Sequence, residues 1–509
     1  MKCNSKILLI ITFAYIYIPI AIFLIGFTKL PICIITLLVC IYCVYKMYKD
    51  YASELSENEV KVSWPVLSVC IVLIIALCIA LGFGGLFLQP GDWHKHNAVL
   101  HDLVERPWPV YYSRYENSML TYYLGQYLVP ATIGKMFSSY DIAEVVMAAW
   151  GMGGLVLVFL NLIRITVSDT IKKQLRLLWI MFFFCGALPL AQIVCLGLFG
   201  DRMYSMGSHH WLLVDGIMIQ YRSNLIMIRW VFPQVIVIWL IVILFLENMK
   251  NIKHYVILMA PMILFGTFAV VIMGILAVTC AIVSVIVAGD RKKAVRNVFS
   301  ISNIVSFLTL GVVLIAYFAG YLGVEKPGYI GFGVLDFNLT TFVTVTVFTL
   351  FMVGIYAICI FEEQKKNIIY YCVVLLLWFI PYFKMGLCND FVMGTSIPGL
   401  FILMIYVVDF LNKKDIRLKE PGRKHAYRYG VKYAIVIAIL LIGSWYPFVE
   451  LKENLYGYEI GDNSADAFGS MEAFSNRNSD QSVDLIYNYF TYEPDGTVFY
   501  EYIAKNKIK

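Results

Sequence analysis

Long runs of uncharged apolar residues recur along nearly the whole chain, and they constrain its fold more than any other feature. A helix needs about 20 residues to cross a hydrocarbon layer of about 30 Å. Because 60% of the residues are hydrophobic and 15% are charged, such runs predict an all-α polytopic membrane protein. Runs close to that length lie at 7–27, 30–45, 64–88, 141–163, 177–199, 226–246, 301–322, 340–361, 368–383, 395–411 and 431–449.

The run 254–288 is too long for one crossing. It contains Pro261, Gly266 and Gly274, so we expect two short helices there. Lysine and arginine mark the cytoplasmic side of a membrane protein. Six basic clusters share one side only if this run crosses twice and the N-terminus is cytoplasmic. The sequence therefore predicts about thirteen spans and an extracytoplasmic C-terminus. The clusters are Lys46/Lys49/Lys61, Arg164/Lys172/Lys173/Arg176, Lys250/Lys253, Arg291/Lys292/Lys293/Arg296, Lys365/Lys366 and Lys413 through Lys432.

Two domains follow from this topology: a transmembrane domain at 1–449 and a small extracytoplasmic tail at 450–509. The first large exterior loop is 89–140. Its uncharged segment 118–134 is predicted to be an interfacial or re-entrant helix, because a full crossing would invert the following basic cluster. In the tail, "VDLIYNYF" and "TVFYEYIA" are typical of strands, separated by the turn "EPDG" and preceded by a loop, so we expect an α/β or irregular tail.

Nearly all cysteines lie within apolar runs, where they behave as small hydrophobes. No cysteine lies in the stretch 91–112 or after Trp445, so these exterior parts lack a disulfide framework. This favours a bacterial plasma membrane over an oxidising lumen.

The stretch "GDWHKHNAVLHDLVERPWPVYY" (91–112) concentrates titratable residues directly outside the third apolar run. A short amphipathic helix is predicted from Asp92, lying on the outer face, with Asp92 and His96 on one side. A carboxylate there suits a general base or a ligand for a divalent cation such as Mg or Mn; the metal requirement is open. The alternatives are a solvated helix with no chemical role, or zinc held by histidines, which their spacing disfavours.

This stretch resembles the first exterior loop of the GT-C glycosyltransferases, the polyprenyl-phosphate-sugar-dependent class. The matching positions are Asp92, Trp93, Lys95, His96, Ala98, Leu100, Asp102 and Leu103. Residues 220–240 and 389–403 and the closing "FYEYIAKN" are also similar to such chains. The sequence departs from them at Met393-Gly394, where related chains read Met-Arg, and at Pro233, where an Asn is common. The resemblance implies a GT-C-like fold with Asp92 as the catalytic carboxylate, and with Asp102 as a second catalytic candidate that supports the helix.

Other predicted exterior loops supply partners for that carboxylate. Arg222 in the loop 200–225 and Lys384 in the loop 384–397 are candidates for binding a lipid-linked phosphate, together with Lys95 and His96. Asp390 in the second loop is a further candidate for substrate binding. The alternative for the cations is snorkelling to lipid headgroups. "SIP" (396–398) is predicted to begin a helix whose free N–H groups favour an anion. Arg229 lies within an apolar run, where a charge indicates function.

The predicted function is therefore an integral-membrane glycosyltransferase. It would move a sugar from a polyprenyl-phosphate carrier to a cell-envelope glycan on the outer face. The short cytoplasmic loops contain no glycine-rich nucleotide loop, which favours a donor delivered on a lipid. The expected partners are a lipid-linked sugar donor, an envelope glycan acceptor and membrane lipids, with no nucleic acid. A lipid-linked glycan flippase or transporter, or a glycan polymerase, is the alternative, although few ionisable residues lie within the spans and no repeat is evident.

Overall fold

The chain is mostly helical in the computed structural model, with four small antiparallel sheets. The residues that the structure describes are 2–55, 60–62, 64–85, 87, 89, 91–113, 117–200, 211–214, 216–320, 330–386, 388–417, 423–459, 470–471 and 489–507.

The helices are α1 Ser5–Phe27, α2 Leu30–Glu54, α3 Trp64–Ala80, α4 Asp92–Glu105, α5 Gly125–Phe137, α6 Tyr140–Ile165, α7 Ile171–Phe183, α8 Leu188–Phe199, α9 Asn224–Glu247, α10 Tyr255–Met259, α11 Met262–Phe265, α12 Ala269–Val287, α13 Arg291–Val298, α14 Ile301–Ser306, α15 Val312–Ala319, α16 Leu339–Thr349, α17 Ile355–Gln364, α18 Ile368–Phe379, α19 Asp390–Asn412, α20 Lys414–Arg417, α21 Arg423–Gly443 and α22 Trp445–Glu459. The strands are β1 Lys2–Cys3, β2 Val60–Lys61, β3 Tyr111–Tyr112, β4 Ser118–Leu120, β5 Leu212–Val214, β6 Ile217–Ile219, β7 Ile330–Val334, β8 Phe383–Gly386 and β9 Phe490–Thr491.

Nine helices in the described residues are long and apolar enough to cross a membrane, and a tenth crossing results if α7 and α8, bent by 41°, count as one. Three shorter apolar helices lie at Trp64–Ala80, Ile252–Phe265 and Ile368–Tyr382. The prediction of thirteen spans counts these three as crossings, and it remains a prediction. The run 254–288 is broken as expected, at Gly266, where the backbone is extended.

The helices α9 and α19 form the centre of the bundle. The most apolar stretch of α19 is fully buried within the protein, and that of α9 is 83% buried. Trp239 of α9 and Phe401 of α19 stack with their ring centroids 4.9 Å apart. A helix that is apolar on all sides is typical of such a central position. Both helices begin at the same end of the bundle, and this places their N-terminal residues close to one another.

The connections between helices collect at two ends of the bundle. Three of the small sheets, β3–β4–β9, β5–β6 and β7–β8, lie at one end, which we call the sheet end. Asn389 connects two of these hairpins by donating to the carbonyl of Met218 at 2.8 Å. These are the loops that the basic clusters predict to be extracytoplasmic.

The opposite end, which we call the ion-pair end, joins the connections that carry the basic clusters. Its contacts connect α6 to α9, α2 to the α9–α10 connection, α7 to α19 and α17 to α20. They are Arg164–Glu247 at 2.6 Å, Lys253–Asp50 at 2.8 Å, Arg176–Asn412 at 2.6 Å and Arg417–Glu363 at 2.7 Å. Loops predicted to share a side therefore contact one another, as a consistent topology requires.

The segment 118–134 and the tail differ from their predicted elements. Strand β4 precedes the helix of the first segment, which begins only at Gly125. In the tail, α22 continues to Glu459, and the predicted strand at 497–504 is wrong, because Phe499–Ile503 forms one π-helical turn. Phe499 packs there against Phe23 and Tyr317, so burial of an aromatic side chain decides the local fold. Most of the predicted loop and most of the first predicted strand fall outside the described residues.

Candidate functional site

A cavity of about 210 Å³ lies at the sheet end, between the N-terminal ends of α4 and α19. The connection before α5, the start of α9, the α11–α12 connection, α15, β8 and the tail complete its wall. One part of the lining is ionic and consists of Asp92, Lys95, Arg222 and Asp390. Another part is apolar or aromatic and includes Trp230 and Phe268. The cavity therefore suits a ligand that has a charged group next to an apolar one.

Helix α4 carries Asp92 into the cavity. Gly91 precedes it at φ 58°, and a Cβ at this glycine would lie 3.0 Å from the ring of Trp230, so the turn requires glycine. The helix predicted from Asp92 is present, but it does not lie exposed on a surface, because most of its residues are buried between α5 and α6. The buried residues are Trp93, Lys95, His96, Asn97, Ala98, Val99, Leu100, Asp102, Leu103 and Val104.

Asp92 and Lys95 form an ion pair, with Lys95 Nζ 2.5 Å from Asp92 Oδ1. The Asp92 side chain is 39% exposed and that of Lys95 is 10% exposed. Burial alone would raise the pKa of Asp92, but the charge and hydrogen bond of Lys95, with Arg222 nearby, hold it below its ordinary value. Asp92 is therefore a carboxylate at neutral pH. Its Oδ2 accepts no hydrogen bond within the described part of the chain.

His96 is neutral and its ring nitrogens are both engaged. Burial lowers the pKa of His96 to about 4. Since Nε2 lies 3.2 Å from the carbonyl oxygen of Trp230, it carries the proton, and Nδ1 then accepts from the Tyr127 hydroxyl at 2.5 Å. In this conformation His96 presents its ring to the cavity and holds α4 against α5 and α9. The kink of α9 at Val231 and Pro233 exposes the Trp230 carbonyl to it.

Arg222 approaches the cavity directly before α9. Its Nε donates to Gln220 Oε1 at 2.8 Å, and Gln220 Nε2 donates to the Cys388 carbonyl at 2.9 Å. Burial lowers the pKa of the guanidinium, and the carboxylates of Asp92 and Asp390 partly oppose this. Nη1 and Nη2 donate to no residue that the structure describes. The fork of Arg222 is thus fixed through Nε and open toward the cavity.

Asp390 is the first residue of α19 and lines the cavity beside Arg222. Asn389 precedes it in the left-handed region at φ 52° and accepts from the Met385 N–H at 3.1 Å. A Cβ at Gly386 would lie 3.1 Å from the Asp390 Cβ. The predicted anion site at "SIP" is wrong, because α19 begins at Asp390 and Pro398 lies inside the helix, where the backbone groups are already used.

Two of the predicted site residues, Lys384 and Asp102, lie outside the cavity lining. Lys384 packs its aliphatic stem near Gly333 of β7, while its neighbour Met385 faces the cavity, as expected from strand alternation. Asp102 is fully buried on the far side of α4, where Oδ2 accepts from the Tyr112 hydroxyl at 2.7 Å and from the Met471 N–H at 3.0 Å. Asp102 therefore positions α4 against the tail.

Arg229 is used inside the bundle. It donates to the carboxylate of Glu450, and its Nη2 donates to Asn454 Oδ1 at 2.6 Å, so it links α9 to α22. Its guanidinium also lies 4.8 Å from the ring centroid of Trp230. The charge in this apolar run thus fixes an aromatic side chain of the cavity wall.

Sequence reasoning missed the uncharged part of the wall, in particular Tyr122, Tyr489 and Phe268. Phe268 packs against Gly394, where a Cβ would lie 3.1 Å from the Phe268 Cβ. The departure from Met-Arg at this position therefore makes room for an aromatic ring. The one available signal was the unusual density of tyrosine near 122, since nothing in the sequence places position 489 beside it.

In the part of the chain that the structure describes, no group of three or more His, Cys, Asp or Glu side chains is arranged to hold a metal ion. Asp201, Arg202, His209, His210 and Asp215 of the predicted exterior loop 200–225 lie outside that part. Comparisons with protein-family models, with curated proteins and with solved structures give no match. The likeness to GT-C glycosyltransferases therefore rests on the sequence motifs quoted above.

Proposed function

We propose that this chain is an integral-membrane glycosyltransferase that moves a sugar from a polyprenyl-phosphate carrier to a cell-envelope glycan at the outer face of a bacterial plasma membrane. The observation that carries the proposal is the Asp92 carboxylate, paired with Lys95 in a cavity that also presents the open fork of Arg222. The apolar part of the wall suits the prenyl chain next to the phosphate.

Two helix N-termini and the open fork of Arg222 supply the cavity with hydrogen-bond donors for an anionic group. The helices α4 and α19 both begin at this cavity, and helix N-termini attract anions. Arg222 adds a guanidinium whose two Nη groups match the spacing of phosphate oxygens. A free sugar or a neutral lipid would leave these donors without partners, at a cost that disfavours its binding.

The transfer step assigns one role to each group. The acceptor hydroxyl oxygen attacks C1 of the donor sugar and loses its proton to Oδ2 of Asp92. The C1–O bond to phosphate breaks, and its electron pair leaves with the carrier phosphate, whose charge Arg222 stabilises. Lys95 holds Asp92 in its ionised form through Oδ1. His96 is neutral and positions α4.

The described donor set does not suit Mg or Mn at this place. Two carboxylates, Asp92 and Asp390, line the cavity, but Lys95 and Arg222 already supply two positive charges to them. Both cations prefer several oxygen ligands in octahedral geometry. The proposed step is accordingly assigned to side chains alone.

Transfer in proteoliposomes tests this function. Purified protein is given polyprenyl-phosphate sugars labelled in the sugar, together with envelope glycan, and the labelled glycan is counted. Asp92→Asn keeps an oxygen for Lys95 and is expected to lower kcat by about 100-fold or more, the usual contribution of a general base. Asp409→Asn is the matched control. Asp409 is 35% exposed and pairs with Lys413 at 2.6 Å, at the end of α19 that lies away from the cavity.

Unchanged transfer by Asp92→Asn would remove Asp92 from the mechanism. Movement of the intact lipid-linked sugar across the bilayer, with no release of carrier phosphate, would instead establish a flippase. Repeated addition of units to a carrier-linked chain would establish the glycan polymerase.

A further inference from the structure

The C-terminal segment 489–507 is joined to the cavity by backbone pairing. Strand β9 pairs antiparallel with β4, and Tyr489 accepts from the Thr121 N–H at 2.8 Å. The hydroxyls of Thr121 and Thr491 add a hydrogen bond of 2.8 Å between the side chains. These bonds fix Tyr489 in the cavity wall, beside the connection that carries Tyr122.

The far end of the same segment is fixed to the α1–α2 connection. Lys505 N–H donates to the Phe27 carbonyl at 2.9 Å, and Lys29 N–H donates to the Ile503 carbonyl at 2.8 Å. Asn506 also donates to the Trp108 carbonyl at 2.9 Å. The segment is therefore anchored at Tyr489–Thr491 and again at 503–506, and its position is part of the fold of the sheet end.

Tyr489 and Tyr122 form one aromatic surface beside the reacting carboxylate. Their ring centroids are 4.1 Å apart with 29° between the ring planes. Both phenols lie close enough to Asp92 for its charge to raise their pKa further, in addition to the larger effect of burial. Both therefore stay protonated at neutral pH, with their hydroxyl groups close to each other. Rigid rings with a protonated hydroxyl suit the mixed apolar and polar surface of a sugar.

We infer that the C-terminal segment is a built-in part of the substrate site, in which Tyr489, supported by Tyr122, contacts the sugar ring that lies next to Asp92. This inference rests on the proposed function and deepens it, since it makes Tyr489 a specificity-determining residue. It also explains why the tail is held by so many backbone bonds: a residue that contacts the reacting sugar needs a fixed position.

Equilibrium binding of defined probes tests the inference without requiring turnover. The probes are farnesyl phosphate and its glucose, galactose, mannose and N-acetylglucosamine derivatives, titrated against the full chain in detergent micelles. The full chain is expected to prefer one glycosylated probe over farnesyl phosphate. Tyr489→Ala should lower the affinity for that probe by between about 2-fold and about 12-fold, the range of an aromatic contact, and leave farnesyl phosphate unaffected.

Two further variants separate contact from folding. Tyr489→Phe keeps the ring and should keep the preference, and Tyr489→Leu keeps apolar bulk and should lose it while still folding. Tyr502→Ala is the matched control, because Tyr502 lies in the same segment and is 70% exposed. Equal binding of all probes by the full chain, or an unaltered preference in Tyr489→Ala and Tyr489→Leu, would overturn the inference. Loss of transfer in Asp92→Asn with Tyr489 variants unaffected would leave the function standing and the inference wrong.

Discussion

Replacement of Arg222 by lysine gives the sharpest test of phosphate binding. The guanidinium donates through Nε to Gln220 Oε1 at 2.8 Å, which leaves Nη1 and Nη2 for a ligand. A lysine ammonium reaches one phosphate oxygen and gives up the second, parallel bond. A hydrogen bond to a charged group contributes about 1.5–3 kcal/mol. Because Arg222 is only half-buried, the lower half of that range is the better guide.

The expected loss of affinity for farnesyl phosphate is therefore between about 10-fold and about 50-fold. Farnesol, which has the same chain and no phosphate, should bind Arg222→Lys and the unaltered protein equally. Arg176→Lys is the matched control. Arg176 lies at the ion-pair end and, like Arg222, donates to an amide oxygen, here Asn412 Oδ1 at 2.6 Å. Equal loss for farnesol and farnesyl phosphate, or no loss for either, would refute the assignment of Arg222 to the phosphate.

Three other substitutions have distinct expected results. Lys95→Met removes the cation that lowers the pKa of Asp92 and leaves burial, which raises that pKa. Because the rate depends on the carboxylate form of Asp92, the acidic limb of the rate–pH profile should move to higher pH. An unmoved limb would exclude Asp92 as the base. Asp102→Asn keeps one acceptor oxygen for the Tyr112 hydroxyl and the Met471 N–H but places an NH2 group 3.6 Å from Arg106 Nε. It should lower the free energy of unfolding by about 1–3 kcal/mol in chemical denaturation, without lowering kcat; the reverse pattern would restore Asp102 as catalytic. Gly386→Ala, at φ 94° and with a Cβ 3.1 Å from the Asp390 Cβ, should displace the start of α19 and weaken sugar-phosphate binding; unchanged binding would show that binding does not depend on the position of this helix N-terminus.

The apolar runs and the basic clusters were sufficient to predict the helices and the grouping of their connections. Helix propensity and hydropathy act locally, so the sequence carries them directly. The break at Gly266 was predictable for the same reason, because glycine and proline interrupt helices wherever they stand. The strand expected at 497–504 failed because a long-range contact, Phe499 against Phe23, decides its conformation.

The charged residues of the site were predictable and the remainder of the wall was not. The cavity is lined by Asp92, Lys95, His96, Arg222 and Asp390. These residues were predictable because charged and titratable side chains that flank apolar runs are conspicuous in a sequence. Which face of α4 meets the cavity depends on packing, and for this reason Asp102 was grouped with Asp92 although it points to the tail.

The aromatic wall depends on tertiary pairing. Tyr489 reaches the cavity only because β9 pairs with β4, and a separation of more than three hundred residues leaves no local pattern for such a contact. Phe268 reaches it because Gly394 leaves space. Both features are consequences of the whole fold.

Labelling of Cys388 tests the central claim most directly. This half-buried thiol lines the cavity beside Asp390. A small membrane-impermeant thiosulfonate is applied to intact cells, with Cys388→Ser as background. The pH is mildly alkaline because burial raises the pKa of the thiol. If the cavity opens outward and holds a lipid-linked sugar phosphate, Cys388 reacts from outside and glycosylated farnesyl phosphate slows the reaction. Labelling confined to inverted vesicles, or a rate that saturating lipid leaves unchanged, would contradict the account.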